Sequence, residues 1–121
     1  MRANFENINE AGDYYTIFTV LCDSMDNGLR NSFERGDRIF TVPVSIDELK
    51  ENQRGFWLIK TDCSVLFKQI TGYDKDSDTF MCHSLNPSFE DILVDAGKIE
   101  KAYRVVRKKG RSVTYSSFED V

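Results

Sequence analysis

Short apolar runs separated by turn-forming residues dominate the chain, and this pattern predicts strands. The predicted strands are Tyr14–Cys22, Asp37–Val44, Gly55–Thr61, Ser64–Tyr73, Thr79–Ser84 and Ile99–Arg107. The YDKDSD stretch predicts a hairpin turn between the fourth and fifth of them. A short helix is predicted in SIDELKENQ, where Ser45 is a candidate N-cap and Glu48 follows three positions later. DNGLRNSF, after Ser24, is a second candidate. We therefore expect a mainly β domain of several short, curved sheets.

A lysine interrupts the predicted strand SVLFKQI. Strand alternation puts Leu66, Lys68 and Ile70 on one face and Val65 and Phe67 on the other. If the first face is buried, desolvation lowers the lysine pKa, and a neutral amine can accept a proton from a serine. If the second face forms the core, Lys68 lies in water. The alternation alone does not decide between the two.

A serine follows the end of an apolar run in VLCDSMDNG. A nucleophilic serine needs a base, and it needs backbone N–H groups directed at the developing oxyanion. The start of a short helix after Ser24 supplies such N–H groups. The structural alternative is that Ser24 or Asp23 only caps that helix.

The composition is that of one soluble domain, with 121 residues, 40% hydrophobic and 30% charged. The first residues lack the apolar core of a signal peptide, and no apolar run approaches the length of a membrane span. We therefore expect a cytoplasmic protein without membrane contact. The three cysteines show no CxxC spacing and there is one histidine, so we expect no disulfide framework, metal or cofactor.

Charge is unevenly distributed along the chain. Residues 1–97 carry 9 basic and 17 acidic side chains, and residues 98–121 carry 7 basic and 3 acidic ones. An acidic body without a helix-turn-helix pattern predicts no direct nucleic-acid binding. The basic segment KIEKAYRVVRKKGR suits phosphates or an acidic partner, or it is a solvated strand with basic flanks.

The order of several motifs resembles one family. FTVLCDSM, GDRIF, GFWLIK, VLFKQI, HSLNPSFEDILV and IEKAYRVV follow one another as in the C-terminal peptidase domain of LexA, UmuD and phage repressors. The resemblance covers residues 14–108, with a loosely held segment at 1–13 and a flexible tail at 109–121. It implies a LexA-like complex of coiled, mostly antiparallel β-sheets with one or two short helices.

The resemblance also implies a Ser-Lys dyad. By position, Ser24 is the nucleophile and Lys68 the general base, and the N–H groups of Asp23 and Ser24 stabilise the oxyanion. Met25 packs beneath the turn, and Asp37, after a glycine, shapes the next strand.

Four positions in the motifs need separate comment. Asn86-Pro87 matches a structural turn of the family pattern. Three positions depart from that pattern: Cys22 replaces a glycine, Gln69 replaces an arginine, and Ala102-Tyr103 stands where the closing strand has a glycine. The departures leave both members of the dyad in place.

The implied activity is cleavage of the chain itself or of a partner, in SOS or phage-repressor control. Family members cut Ala-Gly or Cys-Gly bonds, and Ala11-Gly12 is such a bond. The strand Tyr14–Cys22, however, leads away from Gly12 into Ser24, which favours a peptide substrate in trans.

Three alternatives stay open. The first is a catalytically weak or inactive dimerisation or interaction module of a transcriptional regulator, as a homodimer or paired with a repressor-type protein. The second is a signal-peptidase-like enzyme, and the third is an enzyme in which Ser24 uses His83 as its base.

Overall fold

The computed structural model describes the backbone of residues 3–10, 13–109 and 115–117, and the side chains of residues 15–109. Its strands are β1 (Ala3–Glu10), β2 (Asp13–Val20), β3 (Arg38–Val44), β4 (Phe56–Thr61), β5 (Val65–Asp74), β6 (Thr79–His83), β7 (Ile92–Asp95), β8 (Ile99–Lys109) and β9 (Tyr115–Ser117). The one α-helix among these residues, α1, is Ile46–Glu51, and a 3-10 turn spans Ala96–Lys98. The bond Ala11-Gly12 lies outside the described residues.

The strands form one curled antiparallel sheet in the order β1-β2-β3-β8-β4-β5-β6-β7, and β9 pairs with the end of β8. The prediction of a mainly β domain is confirmed, and its strands join in one curled sheet instead of the several short sheets that we expected. All six predicted strands are present, with ends shifted by no more than two residues. The apolar pattern did not predict β1, β7 or β9, of which β7 and β9 are short.

Two apolar cores cover opposite faces of the central strands. Trp57 and Ile59 of β4 belong to one core with Ile70 of β5, while Leu58 and Phe67 belong to the other. Since the side chains of a strand alternate between its faces, both faces of β4 and β5 are buried. Neither face of β5 is therefore the simple solvent face that one reading of SVLFKQI required.

One helix prediction is confirmed and the other is wrong. Ser45 caps α1, because its Oγ accepts a hydrogen bond from the N–H of Glu48 at 3.1 Å. DNGLRNSF forms turns instead of a helix. The carboxylate of Asp26 and the side-chain carbonyl of Asn27 accept hydrogen bonds from the N–H groups two residues later, at 2.9 Å each. Such local bonds compete with a helix, and Gly28 adopts a φ of 79°, which a right-handed helix excludes.

No helix in the described part of the chain is long and apolar enough to cross a membrane.

Candidate active site

The serine turn, residues 22–26, follows β2 directly. Ser24 is only 2% exposed, and Met25 is fully buried in the core that contains Phe33 and Phe67. The carbonyl of Met25 accepts a hydrogen bond from the N–H of Phe33 at 2.8 Å. Met25 thus packs beneath the turn, as the resemblance implied, and it ties the turn to the core.

Asn86 fixes the serine turn through two hydrogen bonds to its backbone. Its backbone N–H donates to the carbonyl of Ser24 at 2.9 Å, and its side-chain amide donates to the carbonyl of Asp23 at 3.0 Å. Its side-chain oxygen accepts from the N–H of Ser88 at 2.9 Å, so Asn86-Pro87 is a turn, as predicted. The sequence marked this segment as structural, and its contacts with the serine turn are a further finding.

Residues 30–37 are fixed by two buried charged groups. Asp37 Oδ2 accepts a hydrogen bond from the N–H of Glu34 at 3.0 Å and lies 3.9 Å from Lys108 Nζ. Lys108 also donates to the carbonyls of Ser32 and Arg30, at 2.6 and 3.2 Å. Asp37 therefore supports the site from a distance, by shaping the loop that leads from the serine turn into β3.

Lys68 is buried, with 7% of its surface exposed. Its Nζ donates to Ser84 Oγ at 2.6 Å and lies 5.8 Å from the ring centroid of Phe89. Burial lowers the pKa of Lys68, and the nearby thiols of Cys22 and Cys82 act in the opposite direction. A buried lysine with a lowered pKa is the group that a serine nucleophile needs as its base.

Ser24 and Lys68 share a neighbourhood and do not bond each other within the described residues. Ser24 Oγ and Cys22 Sγ are 3.4 Å apart, a hydrogen bond in which either group can donate. Cys22 is also close enough to Lys68 to affect its pKa. The structure thus pairs Ser24 with Cys22 and Lys68 with Ser84, with the hydroxyl of Ser24 turned to the thiol.

Sequence reasoning did not single out Ser84 as a site residue. Ser84 comes directly after His83, the last residue of β6, and His83 pairs with Gln69 of β5. Because the two strands are antiparallel, the residue opposite Ser84 is Lys68, and the Ser84 hydroxyl is fully buried there. The available signal was the predicted hairpin, which sets the register of β5 against β6. A buried serine at the end of such a strand is a candidate partner for a buried lysine.

The predicted oxyanion donors lie at an exposed and a buried position. The Asp23 carboxylate is exposed and forms a two-pronged ion pair with Arg35, with 2.8 Å between Oδ1 and Nε. This hydrogen bond holds the pKa of Asp23 below its usual value. The N–H groups of Asp23 and Ser24 donate to no protein acceptor in the described structure. They are available to an oxyanion, although turns supply them instead of the predicted helix start.

His83 is on the other face of the sheet. Its Nδ1 lies 2.6 Å from the Asp91 carboxylate, and His83 is half-buried while Asp91 is largely exposed. Its cross-strand partner is Gln69, so it points away from the face that carries Lys68. The structure does not bring His83 to Ser24.

The part of the chain that the structure describes contains no group of three His, Cys, Asp or Glu side chains placed to hold a metal ion. Comparison with protein-family models, with curated proteins and with solved structures gives no match.

Proposed function

We propose that this protein is a serine peptidase of the LexA and phage-repressor type, with Ser24 as nucleophile and Lys68 as general base. The observation that carries the proposal is a buried lysine amine that is held by the hydroxyl of Ser84 and whose pKa is affected by Cys22 of the serine turn. We further propose that it acts in the cytoplasm on itself or on a repressor-type partner.

The proposed reaction uses Lys68 as its neutral amine. Ser24 Oγ leaves the Cys22 thiol and attacks a peptide carbonyl while Lys68 Nζ accepts its proton. The N–H groups of Asp23 and Ser24 stabilise the oxyanion. The ammonium then returns the proton to the departing amine, and water hydrolyses the resulting ester with Lys68 again as base. Ser84 holds the amine throughout.

A second function is favoured by one specific observation. Ser24 Oγ bonds the Cys22 thiol and not Lys68, and a glycine is usual at the position of Cys22 in the family pattern. A thiol that holds the nucleophile favours an inactive domain that pairs with itself or with a repressor-type protein.

Time-resolved intact mass tests the first function. The protein is incubated from pH 7 to about 10, close to the usual lysine pKa, alone and with a full-length LexA-type repressor. Fragments that appear with wild type and disappear in both Ser24→Ala and Lys68→Ala support the dyad. The matched controls are Ser88→Ala in the neighbouring turn and Lys75→Ala in the exposed hairpin. Cleavage that survives in Ser24→Ala excludes Ser24 as the nucleophile.

The same reaction separates the two functions. A Cys22→Gly variant frees the hydroxyl of Ser24 from its thiol partner. Cleavage that appears only in this variant supports an inactive natural protein with an inherited dyad. Fragments from neither protein, together with a dimer in sedimentation, support the pairing function.

A further inference from the structure

Strand β7 forms an edge of the sheet. Among the described residues it pairs only with β6. The N–H of Ala96 donates to the carbonyl of Asp78 at 2.9 Å, and bonded and non-bonded residue pairs alternate along an antiparallel ladder. Leu93 and Asp95 therefore belong to non-bonded pairs, so their backbone N–H and C=O groups point away from β6. This outer edge offers the donors and acceptors that an added strand requires.

The side chains on one face of this edge alternate in character. Leu93 and Asp95 of β7 lie on the same face, because successive side chains of a strand alternate. Asp91, just before the strand, joins this face, since its carboxylate lies 2.6 Å from Nδ1 of His83 on β6. Leu93 is 72% exposed and stands opposite the partly exposed Met81 of β6. The carboxylates of Asp91 and Asp95 are also mostly exposed, and that of Asp95 lies 4.0 Å from Lys98 Nζ. The face therefore presents an acidic, an apolar and an acidic position in turn.

This alternation disfavours a second copy of the chain as the occupant. Antiparallel pairing of two β7 strands about Leu93 sets Asp91 of each copy against Asp95 of the other. Like charges directly opposite each other destabilise a strand pair. The segment 88–95 contains three acidic residues and no lysine or arginine, so the complementary strand is basic.

We infer that the edge of β7 binds an extended peptide segment in which two lysine or arginine residues flank an apolar one, with one residue between each. Its basic side chains oppose Asp91 and Asp95, and its apolar side chain covers Leu93 and Met81. The backbone of the segment bonds the outward N–H and C=O groups of β7. Binding of this segment does not depend on the proposed function. The further claim that the segment is part of a peptidase substrate rests on the proposed function.

The edge leads to the candidate active site. Phe89, just before β7, has its ring 5.8 Å from Lys68 Nζ, and Asn86, at the start of the same turn, bonds the carbonyl of Ser24. All pairings between the described strands are antiparallel. A peptide that pairs with β7 in the same antiparallel way has its carboxyl end at the amino end of β7. The scissile bond is then on the carboxyl side of the docked segment.

A labelled peptide tests the inference directly. The probe is a fluorescein-labelled synthetic peptide with Lys-Thr-Leu-Thr-Lys between Gly-Ser flanks, and anisotropy measures its binding to the Ser24→Ala protein. We expect at least about tenfold weaker binding when both lysines are replaced by glutamate, since the carboxylates then repel the peptide. We expect a similar loss when alternate backbone amides are N-methylated.

Reversing the charges on the protein is the complement of reversing them on the peptide. The double variant Asp91→Lys/Asp95→Lys is expected to lose the basic peptide and to gain the glutamate peptide. A gain of binding cannot come from misfolding. Leu93→Pro removes an outward N–H without removing a bond to β6, and it is expected to bind neither peptide. Asp62→Lys, an exposed change elsewhere, is the control and keeps wild-type binding.

The outcomes separate this inference from the proposed function. Equal binding of both peptides, or binding of neither, overturns the inference. A sedimentation dimer that Leu93→Pro abolishes also overturns it, because the edge then holds a second copy. A basic peptide that binds but is never cleaved by wild type supports the inference and counts against the peptidase. Cleavage of a repressor at an unchanged rate by the charge-exchanged protein counts against the inference alone.

Discussion

Two buried lysines lie on strands of this sheet, and their surroundings differ. Lys108, 9% exposed, donates to two backbone carbonyls and lies 3.9 Å from the carboxylate of Asp37. Lys68, 7% exposed, has one hydrogen bond, to the neutral hydroxyl of Ser84, within the described residues. The amine of Lys108 faces a carboxylate and two carbonyls, whereas burial lowers the pKa of Lys68 beside a single hydroxyl. Burial alone therefore does not distinguish the two lysines, and the partners of each amine do.

The largest expected effect is on catalysis at Lys68. Lys68→Met removes the base of the proposed dyad, and we expect the rate of cleavage to fall by about 10³-fold or more. Lys108→Met at the other site replaces no member of the proposed dyad, and we expect a smaller loss of rate. Initial rates from intact mass, measured where both variants remain folded, compare the two. Equal loss in both variants would mean that the two lysines do not differ in role.

The second effect is on stability at Lys108. Lys108→Met leaves the buried carboxylate of Asp37 without its cation and two carbonyls without a donor. Removal of one partner from a buried pair costs about 3 kcal/mol or more of the free energy of unfolding. Urea denaturation at pH 7 measures it. Asp37→Asn in the Lys108→Met background is the control, and it is expected to recover part of the loss.

A smaller effect is expected on the pH dependence of stability, measured as the difference in the free energy of unfolding between wild type and Lys68→Met. Burial lowers the pKa of Lys68 in the folded protein, so the unfolded chain binds that proton more tightly. The free energy of unfolding of wild type, relative to Lys68→Met, is therefore expected to rise with pH from the lowered pKa up to about 10.4. Urea denaturation of both proteins at several values of pH gives the difference. A difference that is constant with pH would contradict a lowered lysine pKa.

The proposed cleavage is expected to follow the same titration. In the proposed dyad only the neutral amine accepts the proton of Ser24, so activity is expected to rise with pH and to reach its plateau below the usual lysine value. A Ser84→Ala variant is expected to retain a rise with pH at a lower plateau, because the amine is then less well held. A flat rate across the alkaline range would exclude Lys68 as the base.

The smallest effect is on thiol reactivity around the Lys68 site. Cys63 is exposed, Cys22 is half-buried, and Cys82 is buried with its pKa raised to about 11 by that burial. We expect iodoacetamide at pH 8 to label Cys63 first, Cys22 more slowly, and Cys82 only after unfolding. Peptide mapping of time points measures the order. Early labelling of Cys82 would show that the core beside Lys68 opens readily.

Strand alternation was enough to put Leu66, Lys68 and Ile70 on one face of β5, and the structure shows that face buried. The pattern could not decide which face is buried, or show that both are, because that depends on how the sheet curls. Nor could it predict Ser84 as the partner of the amine, which depends on the register between β5 and β6.

The serine side was less predictable. The turn that carries Ser24 is held by Asn86 and by a loop that Lys108 fixes, and no local pattern reveals bonds over such distances. Local hydrogen bonds from Asp26 and Asn27 also replaced the predicted helix with turns. Side chains that bond the backbone nearby are frequent in loops, and a periodicity argument does not detect them.

The bond from Lys108 to Ser32 has a consequence for the growing chain. It joins residues that are 76 positions apart, and Lys108 is the penultimate residue of β8. During synthesis, the loop after Ser24 emerges from the ribosome long before the lysine that fixes it. Contacts between such distant positions form late in folding. The loop that leads from the serine turn into β3 is therefore fixed only after β8 has been made, so the two ends of the described fold must come together before this part of the structure is complete.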